Sequence, residues 1–296
     1  MSGYRTTIDT EGILALDFHA HVQLDSGGRH AMEPVALEAA ARYFKSGENQ
    51  SPTVDEVAQY YRQRNIAAVV FTVDAESATG HRANSVEEIA EGAARNSDIL
   101  IPFGSVDPLR EKAAVVSARR LIDDYGVAGF KFHPSMQGFE PNDRRFYPLY
   151  ETLANAGVPA LFHTGQTGIG AGLPGGNGVK LRYSDPMLLD DIAADFPHLT
   201  IVMAHPAVPW VDSQISIVTH KANVFLDLSG WSPKYFPPQL VRALSGPLKT
   251  KAMFGSDSPV LGVDRWLSDF SQLDVKPEVV PLILKYNALK VLGLSR

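Results

Sequence analysis

Residues 15–22 read Ala-Leu-Asp-Phe-His-Ala-His-Val, a mostly apolar segment that carries two histidines near its end. Its apolar residues do not alternate strictly with polar ones, which is typical of a parallel strand that is covered on both faces. Seven further segments of this kind follow along the chain: 67–73, 100–106, 127–134, 159–165, 200–206, 223–230 and 251–259. The sequence therefore predicts eight buried strands.

Stretches with helical spacing of apolar residues separate these strands. They cover 53–65, 85–96, 111–125, 144–156, 185–196, 211–221 and 238–244, and Thr53 with Glu56 forms a capping-box pattern at the start of the first. Strand and helix alternating eight times predict a (β/α)8 TIM barrel, with an open doubly wound sheet as the alternative. We predict one barrel domain over 1–296, its first strand near 15–22, its last near 251–259 and a C-terminal helix near 277–293.

The composition narrows the function classes. The chain has 296 residues, a net charge of −6, 45% hydrophobic residues and no cysteine. Such a chain is too apolar to be disordered, and its mild acidity argues against nucleic-acid binding. Disulfides and thiolate metal ligands are excluded. Because the sequence contains neither a membrane-length apolar run nor an evident secretory signal, we expect a cytoplasmic enzyme that does not bind membranes.

Ionisable side chains recur where the predicted strands end. His19 and His21 lie near the end of the first strand, and His163, His205 and Asp257 follow the fifth, sixth and eighth. Active sites of TIM barrels lie at this edge, and paired imidazoles with a third and a carboxylate suit Zn²⁺ or a similar ion. Taken singly, each residue could instead be a surface or hydrogen-bonded core residue. Together they predict a metal site at the carboxyl ends of the strands.

Several motifs in order resemble the amidohydrolase superfamily, specifically the branch that contains aminocarboxymuconate-semialdehyde decarboxylase and gamma-resorcylate decarboxylase. They are Asp17-Phe18-His19-Ala20-His21, Gly129-Phe130-Lys131-Phe132-His133-Pro134, Phe162-His163-Thr164-Gly165, Met203-Ala204-His205-Pro206 and Phe254-Gly255-Ser256-Asp257-Ser258-Pro259. The resemblance implies that His19, His21, His163 and Asp257 hold the metal. It also implies that His205 is a catalytic histidine that moves a proton, and that Asp257 can assist it.

Lys131 leaves an alternative open, because two-metal members of the superfamily carry a carboxylated lysine on the fourth strand. We predict one divalent ion, Zn²⁺ with Mn²⁺ as the alternative, and Lys131 as a cation of the substrate pocket. The other predicted substrate-binding residues are His133, Arg182, Tyr183 and Trp231. An arginine can hold a carboxylate in two hydrogen bonds, and a tryptophan can pack on an aromatic ring. We expect Asp17 to face away from the metal site.

The predicted reaction is metal-dependent hydrolysis of a C–C bond in a β-keto or ring-cleavage product of aromatic catabolism. The first alternative is decarboxylation of an aromatic or muconate-like acid, and the second is hydrolysis of a lactone, ester or amide. These reactions share every named ligand, so the motifs do not separate them. A binding protein without catalysis would not need an open metal position. We expect a small organic acid or ketone as the substrate, and the resemblance implies a homodimer or homotetramer.

Overall fold

The computed structural model describes residues 3–44 and 51–294. Within these ranges eight strands form, each parallel to its neighbours. The strands are β1 (Ala15–His21), β2 (Ile66–Phe71), β3 (Leu100–Pro102), β4 (Phe130–Phe132), β5 (Ala160–His163), β6 (Ile201–Ala204), β7 (Val224–Asp227) and β8 (Ala252–Met253). Each strand overlaps one of the eight predicted segments.

The strands follow one another in sequence order around the fold. Continuous hydrogen-bond ladders run through β1, β2 and β3 in one sheet and through β4, β5, β6, β7 and β8 in the other. Single parallel bridges connect the two sheets, one between Gly104 and Phe130 and the other between Ala20 and Ser258. This order is that of a TIM barrel and not of an open doubly wound sheet, so the predicted fold is confirmed. At two junctions isolated bridges replace the continuous ladder.

Alternate residues of a strand enter different parts of the core. In β2, Ala67, Val69 and Phe71 join a cluster built mainly from strand residues, which lies inside the ring of strands. Their neighbours Ala68 and Val70 join a larger cluster that packs the strands against the surrounding helices. Because successive side chains point to opposite faces and both faces are covered, the strand segments are apolar throughout.

Helices occupy the connections between strands. The α-helices are α1 (Pro34–Phe44), α2 (Val54–Arg62), α3 (Glu76–Thr79), α4 (Val86–Arg95), α5 (Lys112–Tyr125), α6 (Pro134–Gln137), α7 (Tyr147–Ala156), α8 (Met187–Asp195), α9 (Val211–His220), α10 (Pro238–Leu244), α11 (Val263–Phe270) and α12 (Asn287–Val291). Short 3₁₀ helices cover Pro108–Arg110, Arg144–Phe146, Pro174–Gly178, Leu181–Ser184 and Pro233–Tyr235, and a π-helix covers Leu282–Tyr286. In the described ranges, none of the helices is long and apolar enough to cross a membrane.

The predicted helices form with slightly different bounds. The capping box of α2 is confirmed, since the Thr53 side chain accepts a hydrogen bond from Glu56 N and the Glu56 carboxylate accepts one from Thr53 N. The C-terminal helical segment starts at Val280, three residues after the predicted start near 277. Helix α1 is an addition, because the sequence analysis predicted no helix between the first strand and residue 53. In that connection, residues 45–50 lie outside the described residues.

Candidate metal centre

The two histidines of β1 converge on one carboxylate from the neighbouring strand of the ring. His19 Nε2 lies 3.2 Å and His21 Nε2 lies 3.1 Å from Asp257 Oδ1. Both imidazoles line the same cavity, as their spacing of two residues predicted. Asp257 follows β8 and adopts a left-handed backbone with φ of 72°. This conformation is uncommon outside glycine and is concentrated at functional sites.

A compact cluster of donor atoms forms around His19. One ligand atom from each of His19, His205 and Asp257 lies within 4.8 Å of the other two, and all three residues are buried. His205 follows β6 with a left-handed φ of 72°, so its side chain leaves the strand end in an unusual direction. The structure therefore brings His205 into the donor cluster, whereas the family resemblance implied a catalytic histidine that is not itself a metal ligand.

His163, at the end of β5, provides a test of whether these residues suit a metal ion. Its ring stacks on His133 with centroids 3.8 Å apart and an angle of 7° between the planes. Its Nε2 atom is buried and has no hydrogen-bond partner in the described part of the chain. Leaving a buried polar atom unpaired costs about 1–3 kcal/mol. A cation bound to this nitrogen would remove that cost, so His163 suits a divalent metal ion, although it lies outside the compact group of His19, His205 and Asp257.

A hydrogen-bond network that the sequence analysis did not identify holds two of these histidines. Asp227, the last residue of β7, accepts a hydrogen bond from His19 Nδ1 at 2.6 Å. Ser229 Oγ donates to Asp227 Oδ2 at 3.0 Å and lies 2.9 Å from His205 Nδ1. Because the serine hydroxyl has one proton, His205 Nδ1 must donate to it, which leaves His205 Nε2 with a free lone pair. One buried carboxylate thus orients both imidazoles.

Two glycines leave the space that this network needs. Gly230 has φ of 75°, and a Cβ atom there would collide with the His205 ring. A Cβ atom at Gly255 would collide with the Asp227 carboxylate. The buried Gln214 adds a third constraint, since its Nε2 donates to His205 O at 2.8 Å. Asp227 is the last residue of β7 just as His163 is the last of β5, and an ionisable residue within a predicted apolar strand segment is the signal in the sequence that could have identified it.

Lys131 lies in the centre of β4 and is 1% exposed. Its Nζ donates to His19 Nε2 at 3.2 Å and lies 5.1 Å from the centre of the Phe71 ring. Burial lowers the pKa of Lys131 to about 8, although the charges of Asp257 and Asp227 oppose this effect. The amine is therefore a cation at neutral pH, within contact distance of the donor cluster.

Burial sets the charge of the other groups in the site. It lowers the pKa of His205 to about 3 and holds the pKa of His163 and His133 well below the ordinary value. These imidazoles are neutral at pH 7, as metal ligands must be. Burial also opposes ionisation of Asp257, but the nearby His19 outweighs it and holds the pKa of this carboxyl well below its usual range. His205, His163 and His133 thus offer neutral nitrogens, and Asp257 offers an anionic oxygen.

Asp17 faces away from the donor cluster, as expected. Strict alternation would place it on the face of His19 and His21, but the pairing of β1 with β2 shifts register between Asp17 and Ala20. The Asp17 carboxylate accepts hydrogen bonds from His19 N at 3.0 Å, from Ser256 N at 2.9 Å and from the Tyr61 hydroxyl at 2.7 Å. It therefore fastens β1 to the segment that carries Asp257.

A cavity of about 420 Å³ opens above the cluster. Of the predicted substrate-binding residues, Lys131, His133 and Trp231 line it. Arg182 and Tyr183 are not among its lining residues; Arg182 is 64% exposed and lies 3.5 Å from Glu140. Their role in binding stays a prediction. The structure adds lining residues that the sequence analysis did not name, among them Met32, Tyr43, Gln166, Tyr235 and Arg265.

Comparisons with known proteins agree with the barrel fold. A family model described as amidohydrolase matches residues 16–294. An uncharacterized TIM-barrel protein from Bordetella bronchiseptica is 21% identical, with a TM-score of 0.76 over 95% of this chain and 98% of its own. A dihydroxybenzoic acid decarboxylase from Polaromonas, solved with manganese and 2-nitroresorcinol, is 15% identical, with a TM-score of 0.68 over 100% and 98%. A 5-carboxyvanillate decarboxylase from Sphingomonas paucimobilis is 13% identical, with a TM-score of 0.64 over 95% and 99%.

The search of curated proteins gave no match. The structural neighbours share the barrel at low sequence identity, and they therefore support the fold alone. The family model spans nearly the whole chain and covers every donor residue of the cluster. This protein therefore belongs to the amidohydrolase family, whose members are metal-dependent enzymes.

Proposed function

We propose that this protein is a metal-dependent, non-oxidative decarboxylase of a small aromatic acid. The observation that carries the proposal is the Lys131 cation, buried 3.2 Å from His19 in a cavity that also exposes Trp231 and Tyr235. A buried cation beside metal ligands suits the oxygens of an aryl acid, and aromatic side chains suit its ring. The decarboxylases among the structural neighbours support the same reaction class.

We assign the metal to His19, His21, His163 and Asp257, with His205 close enough to join them. A bound divalent ion supplies positive charge that stabilises negative charge on the substrate oxygens. Zn²⁺ is our first expectation from the nitrogen-rich donor set, and Mn²⁺, present in the Polaromonas neighbour, is the alternative. Metal analysis of the purified protein distinguishes them.

Residues of the chain bind the substrate, orient its ring and deliver the proton. Lys131 holds an anionic oxygen of the substrate by a charge-assisted hydrogen bond. The ring carbon that bears the carboxylate accepts a proton, the bond to the carboxyl carbon breaks, its electron pair restores the aromatic ring, and CO₂ leaves. His205 and Asp257 are our candidates for delivering that proton, because both lie in the donor cluster. Trp231 and His133 line the cavity and orient the ring.

Hydrolysis of a C–C bond, the first expectation from the sequence, would use the same residues, and so would hydrolysis of a lactone, ester or amide. The difference lies in the stoichiometry, since a hydrolase consumes water and a decarboxylase releases CO₂. We rank decarboxylation first because named decarboxylases recur among the structural neighbours.

The test measures CO₂ and product after incubation of Zn²⁺- or Mn²⁺-loaded protein with hydroxybenzoates, muconate-like acids and β-keto compounds in D₂O. We expect one CO₂ per product and one deuterium at the carbon that carried the carboxylate. His205→Asn should abolish turnover, whereas His198→Asn, at an exposed position, should not. Hydrolysis of the ketones without CO₂ release from any acid would contradict the proposal and favour hydrolysis.

The cytoplasmic location and the homo-oligomer also remain proposals. Cell fractionation and light scattering of the purified protein test them. A monomer at micromolar concentration would contradict the predicted dimer or tetramer.

A further inference from the structure

We propose that the exposed end of the cavity binds a second acidic group through Arg265, so that the substrate carries one acidic group near Lys131 and another near Arg265. The inference rests on the proposed function for the reaction, but the binding that it describes can be measured without turnover. Arg265 lies in α11, after β8, and Lys131 lies in β4, so the two cations come from different parts of the barrel.

Arg265 has little within the protein to neutralise it. Its side chain is 60% exposed, and its Nε lies 3.8 Å from Asp269 Oδ2, its one ion pair among the described residues. That same oxygen already accepts a hydrogen bond from Ser232 Oγ. A guanidinium has five N–H donors in a rigid plane, which fits a carboxylate in two parallel hydrogen bonds. Most of these donors are thus available to a ligand.

Cationic side chains outnumber carboxylates among the described residues that line the cavity. Lys131 and Arg265 are its lining cations, and Asp257 is the one carboxylate among the lining residues that the structure describes. Asp257 is already engaged by His19 and His21. Lys131 is 1% exposed and belongs to the buried end, whereas Arg265 belongs to the open end. An anion near Lys131 therefore leaves Asp269, whose Oδ2 is shared with Ser232, as the one carboxylate that faces Arg265 among the described residues.

The surroundings of Arg265 fix its position and suit a ring that bears an acid. The Ser232–Asp269 hydrogen bond fastens the segment after β7 to the helix that carries Arg265. Trp231 and Tyr235, on either side of Ser232 in that segment, line the same cavity. An aromatic ring that packs against these side chains can present one substituent to Arg265. Arg182, in contrast, has similar exposure but does not line the cavity.

The test is calorimetric binding of isophthalate, terephthalate and benzoate to the Mn²⁺-loaded protein. We expect at least one of the two diacids to bind about 10-fold or more tightly than benzoate, as a charge-assisted hydrogen bond allows. Arg265→Gln should remove this preference and leave benzoate binding unchanged. Arg265→Lys should keep part of it, and Arg242→Gln, an exposed arginine of α10, should keep all of it. Circular dichroism checks that each variant is folded.

Equal affinity of the wild type for diacids and benzoate would overturn the inference. Equal loss for all three ligands in Arg265→Gln would do so too, and loss of the preference in Arg182→Gln alone would assign the second acid to Arg182. Diacid binding without CO₂ release from any acid would instead contradict the proposed function and leave the Arg265 binding site supported. CO₂ release from monoacids with no preference for diacids would overturn this inference and leave the proposed function standing.

Discussion

His19 Nδ1 lies 2.6 Å from Asp227 Oδ2, and both side chains are fully buried. The hydrogen bond keeps the proton of His19 on Nδ1 and turns Nε2 towards Asp257, 3.2 Å away. A carboxylate that orients a metal-binding histidine in this way raises its basicity as a ligand. Asp227 is therefore a positioning residue of the centre although it does not belong to the donor cluster.

Asp227→Asn should weaken metal binding by about 10- to 100-fold, because an amide places an N–H where His19 needs an acceptor. Competition with a chelator measures the dissociation constant. Asp98→Asn, which changes an exposed carboxylate paired with Arg62, is the control and should leave metal affinity unchanged. Unaltered metal affinity in Asp227→Asn would show that His19 does not depend on this hydrogen bond.

His163→Phe should lower the metal content while largely preserving the fold. The phenyl ring can keep the stacking on His133 but lacks the buried, unpartnered Nε2 atom. Metal analysis after dialysis gives the stoichiometry, and thermal unfolding of the metal-free protein reports the fold. His198→Phe, at an exposed position, is the matched control. If metal content is the same in both variants, His163 is not a ligand.

Gly230→Ala should reduce activity by about 100-fold, because the new Cβ pushes the His205 ring from its place and small misplacements of catalytic groups are costly. Gly172→Ala separates this collision from backbone strain. Gly172 has φ of 78°, close to the 75° of Gly230, but no atom lies within 4 Å of its Cβ position. Steady-state kinetics and thermal unfolding of both variants should show a shared loss of stability and a loss of activity confined to Gly230→Ala.

Lys131 should make the stability of the metal-free protein depend on pH in the alkaline range. Its pKa is lowered from 10.5 to about 8 in the folded protein, so between these values the unfolded chain binds more protons than the folded one. The free energy of unfolding therefore gains a contribution that rises with pH across this window, at most about 1.4 kcal/mol per pH unit. Urea unfolding at pH 7.5 to 9.5 measures it by comparison with Lys131→Met, which lacks the contribution. Parallel curves for the two proteins would contradict the lowered pKa.

Local patterns were sufficient to predict much of this protein. Apolar segments of strand length gave the eight strands, and their alternation with helices gave the barrel. The spacing of His19 and His21 correctly predicted that both face one side, since side chains of a strand repeat every two residues. The same rule fails at Asp17, because the register shift after it depends on pairing with β2, which the segment itself does not encode.

The sequence by itself determined which side chains are available at the strand ends, because an apolar strand that stops at a histidine or aspartate is a local feature. Only the tertiary structure decided how they are grouped. Asp227 contacts His19 across 208 positions of the chain, and Arg265 enters the cavity from a helix outside the ring of strands. Contacts at that separation follow from the closure and stagger of the barrel, and no short stretch of sequence fixes either.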